Sequence, residues 1–318
     1  MQRVGFFLVL VGCSGHHMAP IDGTLAVSDG SGSSSDAATT NPNADASGSG
    51  RIVLFGGADG STKLGDTWSF DGTTWTALAA TGPTAGAAVM ATLGDRVVAF
   101  DAAGETWIFD GTAWTQVPGT GPSARVQSAM ATLGNDVVLF GGTTDGNDPL
   151  ADTWIFDGTT WTSSAATGPA ARSGGAMASF GTAVVLHAGR ASGGTSLGDT
   201  WSFDGTTWTK LANGPDAFFP SMAELGAKLV LYRGPNNAAD PQTTWTFDGT
   251  TWTQVGGDAL NGRTQESVAT LADHVVLFGG FAGSTTLDDT WTFDGAKWTQ
   301  VTGAGPSARA GQGMAWLP

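Results

Sequence analysis

The sequence predicts an all-β fold made of six copies of one four-stranded antiparallel unit, closed on itself by its own last residues. Three observations predict it. The stretch GDTWSFDGTTWT, Gly65 to Thr76, returns in near-copy five more times. Glycine is abundant at 49 while charged residues make up 13 %, a balance that favours strands and tight turns over helices. The first copy begins at RIVLFGG and lacks a leading strand, whereas the chain ends on GPSARAGQGMAWLP, a leading strand with nothing after it.

In chain order, the first element is a targeting segment over residues 1–12. MQR gives a short positive start, and Val4 to Val11 is an apolar run too short to span a bilayer. It ends in LVGC, Leu10 to Cys13, which resembles the lipobox of bacterial lipoprotein signal peptides. The resemblance implies cleavage before Cys13, lipid on its thiol, and a place in the bacterial cell envelope, at the outer membrane. The alternative is an ordinary secretory signal with a chance cysteine. Cys13 is the only cysteine, so no internal disulfide forms. Residues 13–50 are Ser, Gly, Ala, Asp, Asn and Thr with almost no large apolar side chain, a flexible tether that would hold the folded part about 30–35 Å from a membrane on average. Formal net charge is −15, and a lipid anchor is then the one membrane contact expected. Such acidity repels phosphate backbones, which excludes nucleic acid as a partner.

Residues 51–318 carry the repeat. The Asp of each FDG stands at Asp71, Asp110, Asp157, Asp204, Asp248 and Asp294, 39 to 47 residues apart. The order is clearest from Gly121 to Trp161: GPSAR, SAMATLG, DVVLFGG, a variable polar loop, DTWIF, DG, TTWT. Four short apolar segments separated by turn signals read as a four-stranded meander. Asp-Gly between strand-like segments is a strong hairpin signal. With Asp71-Gly72 as a two-residue loop, Trp68 lies directly opposite Trp75. The same arithmetic pairs Trp107 with Trp114, Trp154 with Trp161, Trp201 with Trp208, Trp245 with Trp252 and Trp291 with Trp298.

Four strands in about 45 residues, a Gly-Gly ending the second, an aromatic in the third and a Trp in the fourth resemble kelch repeats. That resemblance implies a six-bladed β-propeller with the first strand of each blade innermost. The last strand then completes the first blade and leaves few open edges. A monomeric propeller is the expected form.

Strand alternation puts the loop after the Gly-Gly and the GPSAR connection on one face. That face gathers the long divergent loops TTDGNDPLA, RASGGTSLG, GPNNAADPQT and FAGSTTLDD; the other holds short, near-identical turns. Variable loops on a rigid scaffold are where binding usually lives. Arg125, Arg172, Arg263 and Arg309 recur before the inner strand, with Gly86 and Phe218 in that place in the other two copies. As a partial cationic ring they would hold a carboxylate or sulfate; as structural groups each would pair with an acid heading the third strand, Asp66, Asp152, Asp199 or Asp289. The recurrence favours pairing. Arg190 and Arg233, which depart from the repeat, stand closer to the loops and are further candidates for ligand contact. His187 and Tyr232 occupy positions held by Phe elsewhere and read as packed core residues.

No catalytic set is recognisable. Galactose oxidase, a propeller of the kelch type, needs two tyrosines, two histidines and a cysteine around copper, and this chain has one Tyr and one Cys. No cofactor and no metal are expected. A kelch-type sialic acid mutarotase would need only an acid–base pair and an arginine, and Glu266 with Arg263 is the one place for such a site. Two readings remain. The favoured one is an envelope-tethered binding module for a protein or polysaccharide ligand. The alternative is an envelope enzyme acting on an anionic sugar through Glu266 and Arg263.

Overall fold

The computed structural model describes residues 50–144, 146–235, 242–256 and 260–318. The signal segment, Cys13 and the tether through residue 49 lie outside the described residues. The described chain is an all-β, six-bladed propeller of four-stranded antiparallel blades. Blade three shows the order: Ala129–Leu133, Asp136–Phe140, Thr153–Phe156 and Trp161–Ser164, each paired with the next. In blade one the inner strand is the chain's last, Gly313–Leu317, paired with Arg51–Phe55 from Arg51↔Leu317 to Phe55↔Gly313. The ring therefore closes as the two ends of the sequence predict. Among the described residues no helix is long and apolar enough to cross a membrane.

Second strands such as DVVLF are apolar almost throughout because each blade is covered on both faces by its neighbours. Val137, Val138 and Leu139 are fully buried. Outer strands such as WTQV bury the Trp and expose the next two residues. The core is six separate layers, one between each pair of successive blades. Near the axis the blades converge, so the inner strands carry alanine on the packed face, including Ala91, Ala131 and Ala178. Their hydroxyls also lace the ring: Thr92 donates to the Trp316 carbonyl at 2.6 Å, Thr132 to that of Thr92 at 2.5 Å, and Ser179 to that of Thr132 at 2.7 Å.

The hairpin expectation is corrected. Phe70 pairs with Trp75 and Trp68 with Ala77, so the loop holds four residues, Asp71 to Thr74, and the same register recurs in every blade. The cause is the aspartate side chain. Asp71 Oδ1 accepts the amides of Thr73 and Thr74, both at 2.8 Å, and the Thr73 hydroxyl, which fixes a wider turn than a two-residue loop. The two tryptophans of a repeat become diagonal neighbours on one face instead of facing each other.

They also do different work. The second Trp of each blade donates its indole N–H to a threonine in the third strand of the preceding blade. Trp114 reaches Thr67, Trp161 reaches Thr106 and Trp208 reaches Thr153, at 3.0, 2.8 and 3.0 Å. Trp252 reaches Thr200, Trp298 reaches Thr244, and Trp75 closes the circle on Thr290, at 3.0, 2.9 and 2.8 Å. Five of the indoles, those of Trp75, Trp114, Trp161, Trp208 and Trp252, lie over the glycine of an inter-blade Gly-Pro; a Cβ at Gly168 would come within 2.4 Å of Trp208. The first Trp instead holds an acid: Trp68, Trp154, Trp201 and Trp291 donate to Asp66, Asp152, Asp199 and Asp289.

Candidate functional site

The four aspartates held by tryptophan are the partners of the four recurring arginines. Arg172 reaches Asp199 through two bonds of 2.7 and 2.9 Å and donates to the Ala188 and Ala170 carbonyls. Arg125 holds Asp152, Arg263 holds Asp289 and Arg309 holds Asp66 in the same bidentate form. The guanidinium groups are buried, Arg172 at 1 % exposure and Arg263 and Arg309 at 0 %. Burial pushes the Asp199 carboxyl up, but Arg172 and Trp201 overcome that and hold it at about 2. Arg172 also staples blades: its backbone bonds Gly142 and Leu150 of blade three while its side chain works in blade four. These arginines are therefore structural ion pairs in this geometry.

In blade five the place of the arginine is taken by Ala217, not Phe218 as the alignment of repeats suggests. The Gly189 amide bonds the Ala217 carbonyl just as the Gly142 amide bonds that of Arg172. The acid is replaced too, by Thr243, whose hydroxyl takes the Trp245 N–H at 2.9 Å. Arg and Asp are thus present together or absent together there. Arg233 turns back to this segment, donating to the Asp216 carbonyl at 2.7 Å, and is 8 % exposed. Arg190 stays exposed where the blade-four loop begins. Neither lines the axial cavity described next.

His187 is fully buried between the Thr200 hydroxyl on Nδ1 and the Pro215 carbonyl on Nε2, both at 2.9 Å. The carbonyl requires a proton on Nε2, so Nδ1 accepts from Thr200, which in turn accepts from Trp252. Every polar atom is satisfied by the neutral ring, and burial pushes its pKa down to about 4. It is a core residue.

A bowl of ≈ 420 Å³ opens on the axis at the variable-loop face. Its walls are the segments that lead into the six inner strands, so all six blades contribute. Beneath it the axis narrows between Met90, Met130, Met177, Met222, Val268 and Met314, where the remaining space is ≈ 90 Å³. Five of the six lead-ins contain a residue that reverses the chain. Gly174 and Gly311 take left-handed conformations there, at φ 62° and 68°. The equivalent places in three other blades hold Gln127, Gln265 and Phe219, at φ 59°, 59° and 44°. A non-glycine residue in that region costs roughly 1–2 kcal/mol. Such strain clusters at functional sites. Here it places two amides and a phenyl ring on the wall of the bowl. The rim is tied by backbone bonds from Gly174 to Gln127 at 2.7 Å and from Gly311 to Gln265 at 2.9 Å.

Glu266 and Gln312, from adjacent blades six and one, are buried side chains at its wall. They are 7 % and 3 % exposed. Ser221 donates to Glu266 Oε1 at 2.7 Å, while Oε2 has no partner among the described residues. Gln312 donates from Nε2 to the Phe278 carbonyl at 2.8 Å, which fixes the amide so that its Oε1 can only accept; that oxygen is also without a partner. Burial pushes the Glu266 carboxyl up to about 7, against the Ser221 hydroxyl, its own backbone amide and the charge of Arg263. The only basic side chain on the wall is Arg125, and Asp152 occupies its guanidinium. Among the described residues no three His, Cys, Asp or Glu side chains come together to hold a metal ion.

Sequence reasoning singled out Glu266 and the face it lies on. It missed Gln312, Gln127, Gln265 and Phe219. The available signal was a large side chain where other copies of the repeat carry glycine before the inner strand. Compared with known protein families and with curated proteins, the sequence matches none.

Proposed function

We propose that this chain is an envelope-tethered binding module of the kelch-repeat type, a lipoprotein anchored through Cys13 that presents its variable-loop face and axial bowl to a protein or polysaccharide ligand. One observation carries the reading. A cavity of ≈ 420 Å³ built by all six blades opens on the face with the long divergent loops, and Gln127, Gln265 and Phe219 stand on its wall in left-handed conformations. The volume suits a side chain or a sugar ring. The lipobox and the Ser/Gly tether support a surface position. The alternative, an enzyme acting on an anionic sugar, gains from a carboxyl poised near neutrality. It loses the cation that such a substrate needs, because Asp289 holds both terminal nitrogens of Arg263.

Ala87 is exposed on the bowl wall, so Ala87→Trp fills the bowl without entering the core. Cys13→Ala should move the full chain from the membrane fraction to the soluble one. In that soluble form, retention of envelope polysaccharide or envelope protein should fall at least about tenfold on adding Ala87→Trp. Asp95→Trp, on the opposite face, should leave it unchanged. Equal retention by the Ala87→Trp form would remove the bowl as the binding site.

A further inference from the structure

We propose that the bowl seats one neutral pyranose ring, bonded at two opposite edges by Gln127 and Gln265 and covered on one face by Phe219. The inference rests on the reading that this face binds a ligand, and it names the chemistry of the group that enters. The inner strands contact one another in ring order, so blade three stands across the axis from blade six and blade two from blade five. Gln127 leads into blade three and Gln265 into blade six, which sets the two residues on opposite sides of the cavity. Gly174 of blade four and Phe219 of blade five make the flank between them. Gly311 of blade one and Ala87 of blade two make the other flank.

Both glutamines are half-buried, and neither side chain makes a hydrogen bond among the described residues. Their carboxamides each keep two donors and an acceptor for a ligand. Glycine serves the same turn in blades four and one, so the turn alone does not call for Gln127, Gln265 or Phe219. Phe219 packs over Gly174, where a Cβ would lie 2.3 Å from its ring, and this holds the phenyl group in place. The opposite flank is open. A Cβ built at Gly311 would meet the Ala87 Cβ and Gln265 Oε1 only at 3.9 Å, which leaves room for the second face of a ring.

The wall offers a ligand no free charge of either sign. Asp152 holds the guanidinium of Arg125 through both terminal nitrogens. The Glu266 carboxyl is packed into the wall, with Oε1 on Ser221 and Oε2 closed off from the surface. An anionic sugar therefore lacks its cation and a cationic one its carboxylate. An apolar side chain would leave both glutamines unanswered, and a side chain with one polar tip would answer one of them. A pyranose carries hydroxyls around its edge and C–H groups on its faces. Each hydroxyl donates and accepts, which suits a carboxamide at either edge, while the C–H face suits the phenyl ring.

The test is calorimetric titration of the full chain with the methyl glycosides of glucose, galactose, mannose and N-acetylglucosamine, and with a blocked neutral tripeptide. The 6-carboxylate and 6-ammonium forms of the best binder follow. At least one neutral glycoside should bind at millimolar concentration, and its charged forms should bind about tenfold more weakly or worse. Gln127→Gly and Gln265→Gly install the residue that blades four and one carry in these places. Each should weaken the sugar about fivefold while the melting temperature stays equal or rises, because glycine accepts the left-handed backbone. A purely structural glutamine would not separate binding from stability in this way. Sugar binding is read first on the unaltered protein, so it does not hinge on a variant folding. No binding by any neutral glycoside, equal or tighter binding of a charged form or of the tripeptide, or full affinity in both glycine variants would each overturn the inference. If any of these occurs while Ala87→Trp still lowers retention of envelope material, the bowl remains the site and the sugar assignment alone fails. If Ala87→Trp changes nothing, the reading of the face fails with it.

Discussion

Arg172→Ala is expected to lower the stability of the propeller by about 3–5 kcal/mol, the usual cost of removing one partner from a buried ion pair. Three terms add. The guanidinium gives up its two bonds to Asp199 and its bonds to the Ala188 and Ala170 carbonyls. Asp199 then stays beneath the blade with only the Trp201 N–H. Side-chain packing at a 1 % exposed position is lost as well. For a domain of this size the melting temperature should drop by about 10 °C. Blade five indicates the remedy, because Ala217 and Thr243 stand there in place of the pair and Thr243 still accepts its tryptophan. Arg172→Ala with Asp199→Thr should therefore be more stable than Arg172→Ala alone by about 1 kcal/mol or more, since no buried charge is stranded. Calorimetric melting of the two variants measures both effects. A loss under about 1 kcal/mol in the single variant would show that the pair does not hold the blades.

Deleting residues 305–318 should have a larger effect still. It removes the inner strand of blade one with Met314, Ala315 and Leu317, all buried, and uncovers Arg51–Phe55 along its full length. It also removes Arg309, whose side chain bonds Asp66 and the Gly56 carbonyl in blade one and whose backbone bonds Leu287 and Gly280 in blade six. The opened ring presents an apolar strand edge, so cooperative melting should disappear and soluble oligomers or aggregates should form. A permuted chain isolates the cause. Leu317 pairs with Arg51, so an Asn-Gly link in place of Pro318 can join them as a hairpin, with new ends between the exposed Gly146 and Asn147. That chain should fold as a monomer. A truncated protein that melts as the full one does would contradict closure by the last strand.

The fold was legible because its signals are local and repeated. Each FDG, each Gly-Gly and each apolar quartet announces a turn or strand, and the unmatched ends point to each other. The width of the Asp-Gly turn was not legible, since it depends on the Asp71 carboxylate capping two amides, a choice that spacing does not reveal. The Arg–Asp pairs were legible in outline because both members recur at fixed positions. Ala217 was misplaced by one residue because blade five inserts bulky Phe218 and Phe219 where other copies have small or polar residues. The bowl was half legible. Glu266 stood out as a departure from the repeat, but Gln312 joins it only because the end of the chain returns to close the ring. Its orphan oxygen is a property of packing, set by the Phe278 carbonyl that claims the other side of the amide.

The most direct measurement follows the side-chain carboxyls of the three glutamates, Glu105, Glu224 and Glu266, by carbon-13 NMR as pH is varied. If Glu266 is buried at the bowl wall with one oxygen unpartnered, its signal titrates at about 7. The sign of the linkage follows. The folded-state pKa is raised above the unfolded value, so the stability contributed by the protonated group is fully present below about 4.3 and is lost as pH rises through 7. Glu266→Gln should then be more stable than the parent at pH 8 and equal to it at pH 4. A Glu266 signal that titrates in the ordinary carboxylate range, with no stability gain in the variant at pH 8, would mean that water or a partner already satisfies the carboxyl, and would contradict a six-bladed packing that buries it at the bowl wall.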